Sequence, residues 1–96
     1  MHYLYILHSK KLNKYYIGET HDVNLRLEQH NEGFYDKNSF TKKGQPWKLT
    51  FQLECRNKKQ AQKIEQHIKK MKSKKYIQNL MQYQEIQEKL LHKYHD

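Results

Sequence analysis

Two aromatic, β-branched stretches stand five residues apart at the start of the chain, and that spacing constrains the fold more than any other feature. His2 to His8 (HYLYILH) reads as a strand covered at least partly on both faces, and Lys14 to Gly18 (KYYIG) reads as a second. The polar segment Ser9-Lys10-Lys11-Leu12-Asn13 between them is of hairpin length, so an antiparallel pair is expected.

The remaining elements follow from periodicity and caps. Asp22 is placed to N-cap a helix running to about Asn31, with Val23 and Leu27 on one side and Gly33 just beyond its end. Trp47 to Glu54 alternates, with Trp47, Leu49, Phe51 and Leu53 expected on one face and Lys48, Thr50, Gln52 and Glu54 on the other. Asn57-Lys58-Lys59-Gln60 resembles a capping box, after which Ala61, Ile64, Ile68 and Met71 recur at helical spacing. A last helix is expected from Ser73, its apolar seam of Tyr76, Leu80, Tyr83, Leu90 and Tyr94 interrupted by Gln87. The order is β-β-α-β-α-α, an α+β domain with a small three-stranded antiparallel sheet flanked by helices. The connection from Asn31 to Pro46 is long for a compact domain, and long loops are often functional.

Composition bounds the chemistry. Leu, Ile, Val and Phe supply only 20 of 96 residues, and 19 basic against 10 acidic side chains leave a net charge of +9. A chain of this size buries only about 60% of its unfolded surface, so function is expected on a face or in a shallow cleft. Neither a membrane span nor a signal peptide is expected. The single cysteine, Cys55, cannot form an internal disulfide, which fits a reducing cytoplasm. The charge points to a polyanionic partner, nucleic acid first.

Five residues stand out from this background: Tyr5 and Tyr16 on the paired strands, Arg26 and His30 on the first helix, and Glu65 on the second. Arg26 and His30 are i and i+4, on one helix face roughly 6 Å apart, and can converge on one anion. The ordered set Tyr3-Leu4-Tyr5, Tyr16-Ile17-Gly18, Arg26, His30 and Glu65 resembles the GIY-YIG nuclease family. It is most similar to the small single-domain members related to the nuclease module of the bacterial excision-repair endonuclease. The likeness extends to Thr20, to His30-Asn31 with Gly33, to Phe40-Thr41 before Pro46, and to Glu65 followed by Ile68-Lys69. The first element is degenerate, with Tyr3 where glycine is usual. Glu19 follows the second glycine where some active relatives carry lysine, and a carboxylate there could repel a phosphate.

The resemblance implies a metal-dependent endonuclease over residues 1–80, structure-specific and linked to DNA repair or mobile DNA, with a C-terminal helical extension packed on the same domain over 81–96. Glu65 would hold one divalent ion, Mg²⁺ or Mn²⁺; Mg²⁺ tolerates a single carboxylate because it keeps several waters and takes phosphate oxygens. Arg26 would clamp the scissile phosphate with its planar fork. Tyr16 or Tyr5 would orient or deprotonate the attacking water, and His30 could share that role or hold the leaving group.

A substrate-holding surface is expected from Lys69, Lys70, Lys72, Lys74 and Lys75, five lysines in seven positions, and from Lys42 and Lys43 in the long loop. DNA stands ahead of RNA as the partner. No His/Cys set has zinc spacing. The same fold could instead serve as a catalytically weak or inactive nucleic-acid-binding module. A further reading makes the C-terminal helix a homodimerisation arm through Tyr83, Ile86, Leu90, Leu91 and Tyr94.

Overall fold

The computed structural model describes residues 1–32 and 42–95. Most of the long Asn31–Pro46 connection, including Gly33, Phe40 and Thr41, lies outside them. The described elements run β1 (His2–Ser9), β2 (Lys14–Thr20), α1 (Val23–Asn31), β3 (Trp47–Cys55), α2 (Lys58–Met71), α3 (Lys74–Gln82) and α4 (Gln84–Lys93). The sheet is antiparallel in the order β2-β1-β3, so β1 is central and β2 has an edge that is free among the described residues. None of the described helices is long and apolar enough to cross a membrane.

The hairpin forms as its spacing requires. Ser9 pairs with Lys14, the buried Ser9 hydroxyl accepts from Leu12 N at 3.1 Å, and Asn13 takes the left-handed conformation at φ 52°. Asparagine tolerates that conformation better than most residues. Alternation along β1 then sorts side chains between two layers. Leu4 and Ile6 join Ile17, Leu53, Cys55 and the apolar faces of α2, α3 and α4 in the main core. Tyr5 and Leu7 face the other way and pack with Val23 and Trp47, flanked by Tyr3, Tyr16, Leu27 and Leu49.

β3 departs from the uniform alternation expected of it. Leu7 pairs with Leu49 but Ile6 pairs with Phe51, so Thr50 is an extra residue in the ladder, its hydroxyl bonded to Ile6 O at 3.0 Å. One inserted residue shifts a period of two by one step. Trp47 and Leu49 therefore join the tyrosine layer, while Phe51, Leu53 and Cys55 join the main core.

The expected helix starts form as capped ends. The Asp22, Asn57 and Ser73 side chains accept from the backbone N–H of Leu25, Gln60 and Tyr76. α2 buries Ala61, Ile64 and Ile68, whereas Met71 is 46% exposed, because the helix ends there and Lys72 turns left-handed at φ 47°. The C-terminal seam is two helices rather than one. Tyr83 is extended (φ −110°, ψ 113°) and serves as C-cap of α3 and N-cap of α4. Gln87, which interrupts the apolar pattern, donates from Nε2 to Leu80 O at 2.9 Å and so satisfies a carbonyl at the end of α3. The break folds α4 back against α2 and α3. Leu90 is buried and Ile86, Leu91 and Tyr94 pack against the same core, so four of the five residues expected on a dimerisation arm are engaged within the chain.

Candidate active site

The site begins with the second strand. Tyr16 and Gly18 point to the tyrosine layer and Ile17 between them to the main core, so the Tyr-Ile-Gly triplet serves both layers. Gly18 pairs with Tyr5 across the hairpin, and a methyl group at its Cα would stand 2.5 Å from the Tyr5 hydroxyl oxygen and 2.7 Å from Cζ. Glycine is required here by the close approach of an aromatic ring. Thr20 then turns the chain into α1: its hydroxyl accepts from Asp22 N at 3.1 Å and donates to Asp22 O at 3.3 Å, while Asp22 caps the helix.

α1 delivers two of the predicted residues. His30 is 1% exposed and Arg26 half-buried one turn earlier. His30 Nε2 lies 3.2 Å from the Tyr5 hydroxyl. Tyr16 approaches the imidazole in an edge-on arrangement with centroids 4.5 Å apart, and Tyr5 and Tyr16 stack at 6.4 Å. Burial and the neighbouring Arg26 guanidinium lower the His30 pKa from 6.5 to about 4, so the ring is neutral near pH 7. A neutral ring can accept the Tyr5 proton; a protonated one could only donate.

The end of α1 is fixed by residues whose roles are not visible in the sequence. Asn31 accepts from Trp47 N at 2.6 Å and donates to Trp47 O at 2.9 Å, pinning the start of β3 as another strand would. Gln45 donates to His30 O at 2.8 Å, and the Trp47 ring stands edge-on to Tyr16 at 6.1 Å. All three contacts span 15 or more residues, and the only local sign of them is that Asn31 adjoins His30.

Tyr5, Tyr16, Arg26 and His30 thus share one layer. Glu65 does not join them: it is on α2, which covers the opposite face, and its carboxylate pairs with Lys69 at 2.7 Å. α2 nevertheless runs beside β2. Lys72 and Lys14 line the same groove, and because β2 and β3 both run antiparallel to β1, the helix that follows β3 returns antiparallel to β2. Seven residues back at ~1.5 Å each place Glu65 about 10 Å further on, level with about three strand residues beyond Lys14. Glu65 is therefore level with the middle of β2, on the opposite face of the sheet from Tyr16.

Glu19, the carboxylate expected to repel a phosphate, points to the α2 side of the sheet, where its Oε2 is met by His2 Nε2. It faces away from Tyr16 and Arg26. The lysines divide. Lys69, Lys72 and Lys74 line a groove with Lys14, whereas Lys70 lines a different one with Lys63 and His67 on the other flank of α2. Lys42, Lys43 and Lys75 are exposed.

The described residues contain no group of three or more His, Cys, Asp or Glu able to hold a metal. Glu65, a half-buried oxygen donor, fits a hard cation that keeps most of its own waters, provided Lys69 yields its place.

Comparison with known proteins points to one family. Residues 1–79 match the GIY-YIG catalytic domain. The chain is also similar to the UPF0213 protein YazA of Bacillus subtilis strain 168, with 34% identity over 74 residues that cover 77% of this chain and 72% of that protein. No solved structure gives a significant match. The matched region holds both strands of the hairpin, α1 and the whole of α2, and with them every residue of the ordered Tyr, Tyr, Arg, His and Glu set. On that correspondence the chain belongs to the GIY-YIG family of nuclease domains.

Proposed function

We propose that this protein is a divalent-metal-dependent endonuclease that hydrolyses DNA phosphodiester bonds at the free edge of β2. The observation that carries the reading is the contact of the Tyr5 hydroxyl with a neutral, buried His30, beside Tyr16 and one turn from Arg26. Tyr5 is 2% exposed, so it acts on its neighbours, whereas the half-buried Tyr16 is open to a substrate. Tyr16 orients the attacking water at its phenolic oxygen, and Arg26 binds two oxygens of the scissile phosphate. The Tyr5–His30 pair holds the Tyr16 ring in place, the neutral His30 Nε2 accepting the hydrogen bond of the Tyr5 hydroxyl. Glu65 is the residue that would hold the cation, most simply Mg²⁺. When bound, the cation supplies positive charge to offset that growing on the phosphoryl oxygens.

The test is incubation of supercoiled, branched and single-stranded DNA with Mg²⁺ or Mn²⁺, beside Glu65→Gln, Arg26→Ala and Tyr16→Phe. Cleavage that each substitution lowers by about 100-fold or more supports the assignment. Absence of cleavage, or equal cleavage by all variants, overturns it.

The Glu65–Lys69 ion pair favours a second reading, a nucleic-acid-binding module in which that carboxylate is structural. Salt-dependent DNA binding unaffected by Glu65→Gln, without cleavage of any substrate, would select it.

A further inference from the structure

On the α2 side of β2, beyond the proposed cleavage site, lies a groove of about 400 Å³. Its floor is the half-buried ring of Tyr15, which also packs on His8, set over Ile17, Ile68 and Ile77, side chains of the main core that are at most 8% exposed. Its rim is cationic, with Lys14, Lys69, Lys72 and Lys74 all exposed. Lys74 reaches across one end to Asn13 O, so the hairpin turn and α3 close that end together. The opposite end leads along α2 to Glu65, one turn from Lys69.

Duplex DNA offers such a groove only phosphates, which the rim could bind but which would leave the floor unused. A single strand offers both phosphates and unstacked bases. We infer that the groove seats an unpaired nucleobase on the ring of Tyr15, with the flanking phosphates on Lys14, Lys69, Lys72 and Lys74, and that the protein prefers single-stranded over duplex nucleic acid. The inference rests on the nucleic-acid substrate proposed above and refines it. Glu65 and Lys72 are separated by about 10 Å along the helix, so the seated base lies within a few nucleotides of the bond to be cut. The cation and the groove would then engage one continuous strand, passing around the free edge of β2.

The experiment measures binding by fluorescence anisotropy without divalent ions, so that no cleavage occurs. It compares a thymidine octanucleotide, an abasic deoxyribose-phosphate chain of equal length and charge, and a duplex of the same length. The octanucleotide should bind at least tenfold more tightly than the abasic chain and more tightly than the duplex. Lys14→Ala/Lys72→Ala should weaken octanucleotide binding and lower its salt slope by about 1.4, the value for two single-strand phosphate contacts. Lys63→Ala/Lys70→Ala, on the other flank of α2, should not. Tyr15→Leu keeps an apolar floor without the ring and should bring the octanucleotide closer to the abasic chain. Abasic binding within twofold of the octanucleotide, equal binding of the duplex, or an equal effect of the control pair overturns the inference. These results stand apart from cleavage: Glu65-dependent cleavage without base discrimination removes the groove and leaves the nuclease, and discrimination without cleavage does the reverse.

Discussion

The Tyr5 ring lies directly over the Cα of Gly18, its partner across the hairpin, closely enough that no side chain fits between them. Gly18→Ala must displace the ring or the strand. It is expected to destabilise the fold by about 1–3 kcal/mol, which for a chain of this size lowers the melting temperature by roughly 4–8 °C per kcal/mol. An unchanged melting temperature would mean that the ring is elsewhere.

His30 makes stability depend on acidity. Its folded pKa of about 4 lies below the ordinary 6.5, so between those values the unfolded chain binds a proton that the folded chain does not. Stability should therefore fall as pH is lowered from 6.5 toward 4, by at most about 1.4 kcal/mol per pH unit from this group. Urea unfolding from pH 7 to 4 should show that loss, and His30→Gln should flatten the slope.

The two tyrosines should separate in kinetics. Tyr16→Phe removes the hydroxyl open to substrate and should lower kcat by about 100-fold or more. Tyr5→Phe removes a positioning contact to a buried imidazole, and an effect nearer tenfold is expected. Because Tyr5 acts through His30, Tyr5→Phe should also shift the acidic limb of the pH–rate profile, which a purely structural loss would leave in place.

Asn31 bonds to both the N–H and the C=O of Trp47. Asn31→Ala leaves two polar backbone groups unpaired and should cost about 2–4 kcal/mol, while Asn31→Asp keeps the acceptor and should cost less. Loss of the Trp47 fluorescence signature in the alanine variant before global unfolding would show that the start of β3 detaches first.

What the sequence revealed was what neighbouring residues decide. The hairpin, the caps at Asp22, Asn57 and Ser73, and the i, i+4 pairing of Arg26 with His30 depend on a few adjacent positions. The Thr50 bulge was hidden because the alternation from Trp47 to Glu54 is unbroken; the extra residue exists only relative to β1. The break at Tyr83 was hidden because helical periodicity continues through it, and only the return of Leu90 to the core and the bond from Gln87 require it. In the site, Arg26, His30 and the tyrosines were legible as types at characteristic spacing. The contact of Glu19 with His2 and the anchoring of α1 by Gln45 were not, because chain topology alone brings those pairs together.

The turn between β1 and β2 has the last word on chemistry it never touches. Because Tyr16 and Ile17 point in opposite directions, a slip of β2 by a single residue would send the phenol into the main core and the isoleucine into the tyrosine layer. Ser9 and Asn13 set the length of that loop, and so work as a gauge that meters the strand to the correct tooth. A residue inserted or deleted between them would turn Tyr16 out of its layer, with every member of the proposed site still present in the chain.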